Sequence, residues 1–392
     1  MESFDGRKVG EAAPLGIYVH APFCVSHCTY CDFFTRPFTG EAEVTRFVDS
    51  LVTEMAATAT ALNLLGRKAD TLYVGGGTPS LLPPRDMDRI LEQVRKLFRV
   101  DGDAEVSLEA NPESVTREKM RAYRESGVNR ISLGVQSFQR GILATLGRAH
   151  GPEEAVRAVS EIRSSEISNL SLDLMLALPG QTRASLEADL KTAVNLEPDH
   201  LSAYLLEMDK ESALRIRIER GELAPPSQEE SAEMYETVFT LLERSGFRHY
   251  EISSFCRPGR ECRHNVKYWT DRPFVGFGRS AWSYLEGKRW RVARDLEGYL
   301  EAARCGVPPV HETESGGRKE RMEEAIFAGL RLLDGVDLEA VGRAYSVADP
   351  SVLYGPALEE LEEAGLVRRD GPRLSLTRRG LPLANEVFRV FV

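Results

Sequence analysis

The densest chemistry in the sequence is Cys24-Val-Ser-His-Cys28-Thr-Tyr-Cys31, which holds three of the chain's six cysteines within eight positions. A C-x3-C-x2-C spacing in a loop lets three thiolates converge on one small centre. Structural zinc takes four ligands, usually as two separated Cys/His pairs, and a dithiol switch takes two cysteines. Three close thiolates without a distant partner pair fit best an iron–sulfur cluster with one iron left open. A purely apolar role suits three cysteines in a polar loop poorly. Cys256 and Cys262 precede a second string, His264-Asn265-Val-Lys-Tyr268-Trp269. These two thiols and His264 could form a zinc site, though no fourth ligand is evident, and a lone His beside aromatics is more often a core residue. Cys305 stands alone and reads as structural. Gly75-Gly76-Gly77-Thr78-Pro79 would let backbone approach a ligand closely, and is equally what a plain strand-end turn looks like. Glu109 and Asp173, taken alone, could be buried ion-pair partners or helix caps.

The elements that must position these residues alternate. Short β-like runs occur at Leu15–His20, Thr71–Val74, Glu105–Glu109, Arg130–Val135, Leu170–Leu178 and His200–Leu206, rich in Val, Ile, Leu and Tyr. Between them, sets such as Val44, Phe47, Val48, Leu51 and Met55, then Ile90, Leu91, Val94, Leu97 and Phe98, recur at helical spacing. Six strand–helix alternations imply an α/β fold with parallel strands and crossover helices. The cysteine loop follows strand one and the glycine turn follows strand two. Glu109-Ala-Asn111-Pro112 ends strand three and Gln136-Ser137 ends strand four. A barrel gathers the C-terminal ends of many strands on one face, whereas an open doubly wound sheet concentrates its site at one switch point. The expectation is a partial (β/α)6, TIM-like barrel.

A helix is expected from Gln228 to Ser245, followed by a less regular stretch over 247–300. Past Gly316-Gly317, helical segments and the hairpin strings Leu366-Val367-Arg368 and Leu374-Ser375-Leu376 read as a winged-helix-like α+β module. The expected division is a core barrel over 1–245, an extension over 246–315 that completes the core and contains the candidate His264 region, and the C-terminal module over 316–392. Residues 318–392 hold 11 basic and 13 acidic side chains, a net of −2, so nucleic acid is not the expected partner of that module. The whole chain has 50 Lys and Arg against 60 Asp and Glu, a net charge of −10, which argues the same way. No apolar run approaches the ~18 residues of a membrane span, so no span is expected, with peripheral membrane contact left open. Met1–Asp5 lacks the basic start and apolar core of a signal peptide. Six cysteines in 392 residues are too sparse for a disulfide scaffold, and a cytoplasmic protein is expected.

The string Tyr18-Val-His20-Ala-Pro22-Phe23-Cys24-x3-Cys28-x-Tyr30-Cys31-Asp32-Phe33 resembles the cluster loop of the radical S-adenosylmethionine (SAM) superfamily. More narrowly, it is similar to the branch that holds oxygen-independent coproporphyrinogen III oxidases and HemW-type haem chaperones. The resemblance continues through Gly75–Pro79, Ser107–Pro112, Gly134–Phe138, Leu146–His150, Leu172–Leu174 and Leu178–Gln181, and into the C-terminal module. It implies a [4Fe–4S] cluster on Cys24, Cys28 and Cys31 whose open iron is chelated by SAM. Reductive cleavage of the S–C5′ bond would then give a 5′-deoxyadenosyl radical. The resemblance also assigns SAM contacts to Tyr18, Gly76, Gly77, Thr78, Glu109, Gln136, Arg148 and Asp173. Arg148 would meet the methionine carboxylate, Glu109 its ammonium, and Asp173 or Gln136 the ribose hydroxyls. No catalytic residue is assigned beyond the cluster.

The resemblance leaves a chaperone and an enzyme to be told apart. The oxidases carry a further cysteine where this chain has Phe33, and a longer segment before the first strand than the 14 residues here. The H-N-x-x-Y-W string is similar to one in the chaperone branch. All three features favour a haem chaperone, which would bind haem, with His264 as its expected contact, and pass it to an acceptor protein. An electron donor to the cluster is expected as a further partner. The alternative is a coproporphyrinogen III oxidase that decarboxylates propionates to vinyls, or a related radical SAM enzyme.

Overall fold

A computed structural model describes residues 13–206, 212–314 and 316–391. Six strands come first in the chain: β1 Leu15–Ala21, β2 Lys68–Gly76, β3 Arg99–Ala110, β4 Arg130–Gln136, β5 Asn169–Leu176 and β6 His200–Leu205. Each pairs in parallel with the next, in sequence order and without reversal. A doubly wound sheet reverses its order at a switch point; this one does not, and it follows the barrel path. The helices α1 Glu41–Ala61, α2 Pro84–Leu97, α3 Arg117–Ser126, α4 Arg140–Thr145, α5 Pro152–Arg163 and α6 Arg183–Asn195 fill the crossovers.

Local chemistry explains these boundaries. The Thr116 side chain accepts from Lys119 N to start α3, and Thr182 with Ser185 forms a capping box on α6. Pro84 and Pro152 occupy the first helical positions of α2 and α5, where the missing N–H costs nothing. Val44, Val48, Leu51 and Met55 of α1 are buried, as are Met87, Ile90, Leu91 and Val94 of α2. Each such side chain contributes about 1.5–3 kcal/mol. Alternation along the strands sorts the two sheet faces. On β4, Ile131, Leu133 and Val135 join the apolar core under the helices, while Arg130, Ser132 and Gly134 turn to the other, inner face. The inner face is polar, and the site is built there.

The stretch expected to be less regular is in fact ordered into short strands. After α7 Ala213–Glu219 and α8 Gln228–Arg244 come β7 Arg248–Glu251, β8 Ser254–Cys256, α9 Arg263–Trp269, β9 Phe274–Phe277, β10 Trp282–Leu285, β11 Lys288–Val292, α10 Leu296–Cys305 and β12 Val310–Glu314. They extend both edges of one sheet, in the order β12-β11-β10-β9-β1-β2-β3-β4-β5-β6-β8-β7. β9 lies parallel to β1, and the remaining additions run antiparallel. The outermost strands, β12 and β7, do not pair in this order, so the barrel stays partial.

At the C-terminus, α11 Arg318–Gly329, α12 Leu338–Tyr345, α13 Pro350–Leu353 and α14 Gly355–Glu363 precede a hairpin of β14 Val367–Asp370 and β15 Arg373–Leu376. β13 Val336–Asp337 adds a third strand to β15. This is the small α+β module expected from the sequence. It is fastened to α9: the Arg331 guanidinium lies 4.3 Å from the Trp269 ring centroid, and Tyr345 OH donates to Asp271 at 2.5 Å.

Candidate radical SAM site

The loop after β1 is closed by its own ends. Phe23–Cys24 pairs in parallel with Arg36–Pro37, and Phe38 N donates to Cys24 O at 2.8 Å. Its middle is clamped to the turn after α4, where Thr29 N donates to Leu146 O and Thr29 Oγ1 to Thr145 O, both at 3.0 Å. A polar chain then joins two of the cysteines. Thr78 Oγ1 lies 3.6 Å from Cys24 Sγ and accepts from Asn111 Nδ2 at 2.9 Å. Asn111 Oδ1 accepts from Arg148 Nη2 at 2.7 Å, and Arg148 Nη1 lies 3.6 Å from Cys28 Sγ. Arg148 Nη2 also donates to Gly134 O at 2.7 Å, and its Nε is buried without a partner among the described residues. Asn111, noted in the sequence only as part of a strand end, belongs to the site. Its position two residues past Glu109, at a strand end, was the available signal.

The turns around this chain tolerate little. A Cβ on Gly77 would stand 2.6 Å from Phe23 O and 2.9 Å from Cys24 Sγ. One on Gly134 would stand 2.9 Å from Asn111 Oδ1 and 3.1 Å from Gln136 Nε2. Gln136 itself takes a left-handed backbone, φ 66°, at the irregularity that ends β4. Non-glycine residues held there store strain, which clusters at functional sites. Burial pushes the Cys24 thiol up against the Thr78 hydrogen bond, and pushes Cys31 up to about 11. Burial acts to lower the Arg148 pKa, but Tyr30 and Cys28 beside it outweigh that and raise it.

A second group lies further along the inner face. Glu109 accepts from Tyr73 OH at 2.9 Å and from Gly76 N at 3.0 Å. Burial pushes its carboxyl up to about 7 despite both donors. Tyr18 stacks on Tyr73 with ring centroids 6.2 Å apart, and its OH lies 3.0 Å from His20 Nδ1. Asp173 accepts from Ser132 Oγ at 3.0 Å and Ser171 Oγ at 3.3 Å, and burial raises its pKa. The two groups meet at Gly75–Gly77, at the C-terminal end of β2.

His264 is placed elsewhere. It is fully buried on α9, with Nδ1 2.9 Å from Thr71 Oγ1 and Nε2 2.8 Å from Tyr268 OH. Thr71 lies five residues before Gly76 on β2, about 16 Å down the strand at 3.3 Å per residue. The imidazole stacks beneath Tyr73, and burial, followed by the charge of Lys267, lowers its pKa to about 3. Neither nitrogen faces an open space. α9 is anchored there by Glu105, whose carboxylate accepts from Arg263 N and His264 N at 3.0 and 3.1 Å, the favoured place for an anion. Among the described residues no three His, Cys, Asp or Glu side chains gather as they would on a single metal ion. Cys256 and Cys262 are buried thiols, each pushed up to about 12 by burial.

The residues around the cysteine loop suit a cluster with SAM. The three thiols are free, the Gly77 cradle has no room for a side chain beside Cys24, and Arg148 brings a buried cation to Cys28. A four-iron cluster takes one thiolate on each of three irons, a wider set than one ion needs.

The Radical SAM superfamily model matches residues 18–193, and the HemN C-terminal domain model matches 318–383. A Bacillus subtilis protein named heme chaperone HemW is 34% identical over 380 residues, which span 96% of this chain and 98% of that protein. A Mycobacterium tuberculosis (strain H37Rv) protein of the same name is 37% identical over 381 residues, 97% of this chain and 95% of that one. The chain belongs to the HemW family of radical SAM proteins. Its fold also matches that of the Escherichia coli coproporphyrinogen III oxidase HemN, with a TM-score of 0.84 over 97% of this chain and 90% of that one, at 23% identity. That likeness concerns the fold alone. Among the described residues, no helix of this HemW family member is long and apolar enough to cross a membrane.

Proposed function

We propose that this chain is a haem chaperone, which binds haem and passes it to an acceptor protein while carrying a [4Fe–4S] cluster and SAM. The observation that carries this reading is the near full-length similarity to relatives named heme chaperones, at 34–37% identity. Cys24, Cys28 and Cys31 would hold the cluster. Gly76, Gly77 and Thr78 would offer backbone and hydroxyl groups to SAM, with Tyr18, Glu109, Gln136 and Asp173 along its length. Arg148 would present its cation to a carboxylate. When bound, the cluster and SAM supply one-electron cleavage chemistry; an electron donor is the corresponding partner. The chain's own residues orient SAM and keep water from it: Thr78 is buried, and Arg148 and Asn111 are fixed by hydrogen bonds of 2.7–2.9 Å.

The test is anaerobic reconstitution of the cluster, followed by incubation with SAM, reductant and coproporphyrinogen III, with haem titrated in parallel. Haem binding without formation of protoporphyrinogen is expected. Formation of protoporphyrinogen would overturn the chaperone reading in favour of the oxidase.

A further inference from the structure

Haem iron is commonly held by an imidazole nitrogen, and the described histidine side chains can be compared one by one. His20 has Nδ1 on Tyr18 OH and Nε2 2.8 Å from Phe34 O. His200 is held by Ser171 Oγ and Tyr250 OH, at 2.8 and 2.9 Å. His264 is held by Thr71 and Tyr268, as described. His150 and His249 are buried, with Nε2 on the backbone oxygens of Val135 and Ile252. His27 differs from all five. It is exposed, its Nδ1 lies 3.2 Å from Thr35 Oγ1, and Nε2 has no partner among the described residues. A metal-binding imidazole is typically arranged this way, with one nitrogen oriented by a neighbour and the other free.

His27 lines a cavity of about 420 Å3 on the cysteine loop, shared with Cys24 but not with Cys28 or Cys31. The cavity carries the apolar surface a macrocycle needs: Val25 is 56% exposed and Phe33 62% exposed, with Phe34 beside them. It also carries a cation for a propionate. Arg294 lies on its wall, with Nε donating to Ser280 Oγ at 3.2 Å, while Arg36 on the loop side is ion-paired with Glu43 and the Asp32 carboxylate lines the same cavity. Arg279 packs behind, with its guanidinium 4.8 Å from the Phe34 ring centroid.

We infer that the cavity formed by the cysteine loop and Arg294 is the haem site, with His27 Nε2 as axial ligand, Thr35 as its orienting partner, Phe33 and Val25 against the macrocycle, and Arg294 on a propionate. This inference rests on the haem-chaperone reading and deepens it. It moves the ligand from the buried His264 to the outer side of the cluster loop, next to Cys24. Phe33 gains a role as well, since it stands exposed on the wall of this cavity.

The test is haem titration of the full-length, cluster-reconstituted protein under anaerobic conditions. It reads affinity, the axial-ligand signature of ferric haem by electron paramagnetic resonance, and cluster iron and sulfide. His27→Gln is expected to lose the imidazole signature and to weaken binding about tenfold or more, with added free imidazole restoring the signature. Arg294→Gln, outside the cysteine loop, is expected to weaken haem binding with the signature intact, and it decides the matter should His27→Gln lose cluster iron. His264→Gln, if folded, is expected to keep the signature. Unchanged haem affinity and signature in His27→Gln, with the wild type binding haem, overturns this inference and leaves the chaperone reading standing. A wild-type protein that takes up no haem overturns both.

Discussion

Glu54 gives the sharpest stability prediction. It sits fully buried on α1, where its carboxyl oxygens accept from Gly278 N at 2.9 and 3.2 Å and from Tyr299 OH at 2.8 Å. Through these contacts it ties the turn after β9, and α10, to the helix that follows the cysteine loop. Gly278 is packed tightly on β1, since a Cβ there would stand 2.6 Å from His20 O. Burial pushes the Glu54 pKa from 4.5 up to about 8, outweighing the two donors that favour the charge. The native protein therefore keeps a proton on Glu54 that the unfolded chain releases near pH 4.5. Stability from this group is fully present below pH 4.5 and is lost as pH rises to 8. At 1.36 kcal/mol per pH unit, the span from 4.5 to 8 amounts to about 5 kcal/mol. At roughly 2 °C per kcal/mol for a unit of this size, that is about 10 °C in thermal midpoint. Glu54→Gln keeps an acceptor for Gly278 and Tyr299 but cannot ionise. The assay is the midpoint of Glu54→Gln minus that of wild type, measured from pH 4.5 to 8.5, because subtraction cancels every other titrating group. The difference should climb by about 10 °C toward the alkaline end. A difference that stays constant across this range would refute the assignment of a buried, protonated Glu54.

Three further substitutions probe the site. Gly77→Ala would drive a methyl group to within 2.6 Å of Phe23 O and 2.9 Å of Cys24 Sγ, so reconstituted iron content should fall well below wild type; equal iron and equal SAM affinity would sink this account of the turn. Arg148→Met strands Asn111 Oδ1 and Gly134 O, both bonded at 2.7 Å, and should cost roughly 2–6 kcal/mol in thermal or denaturant unfolding. Glu109, pushed up to about 7 by burial, should make SAM binding tighten as pH rises from 6 to 8, because the ionised carboxylate is the stronger acceptor; Glu109→Gln should flatten that slope in anaerobic equilibrium binding, and a flat wild-type profile would contradict the contact.

Much of the architecture was legible because parallel strands buried on both sides write themselves as short apolar runs. The runs at Leu15–His20, Arg130–Val135 and His200–Leu206 correspond to β1, β4 and β6 within a residue at each end. The cysteine loop was legible because nothing else places three thiols so close. What stayed hidden has physical reasons. β9 is only four residues long, and its parallel partner β1 lies more than 250 positions earlier, so no local pattern announces it. Glu54 looks like an ordinary helix carboxylate, although it shares the phase of Leu51, Met55 and Thr58 on the buried side of α1. That phase was a usable signal. His264 could not be placed from its string alone, because aromatic neighbours accompany both a ligand and a packed core residue.

The placement of His264 bears on how a cargo and a cofactor can share one small barrel. The lower inner face is filled by His264 under Tyr73, by His200 against Tyr250, and by Arg130, which is 2% exposed on β4. A fully buried Arg needs nearby charge to offset its desolvation, and the Glu105 carboxylate beside it acts to raise its pKa against burial. A macrocycle cannot be admitted at that level without dismantling this packed polar floor, which also anchors α9 and, through Trp269 and Arg331, the C-terminal module. The upper inner face is committed to the groups around Glu109 and Arg148. The outer side of the cysteine loop offers a space for a flat cargo, where Val25 and Phe33 are exposed and His27 Nε2 has no partner among the described residues. In such an arrangement haem and SAM lie back to back across one loop, and Cys24 contributes to both walls. The cluster would then fix the loop that carries the cargo ligand, giving it a positional role in haem binding apart from any bond cleavage.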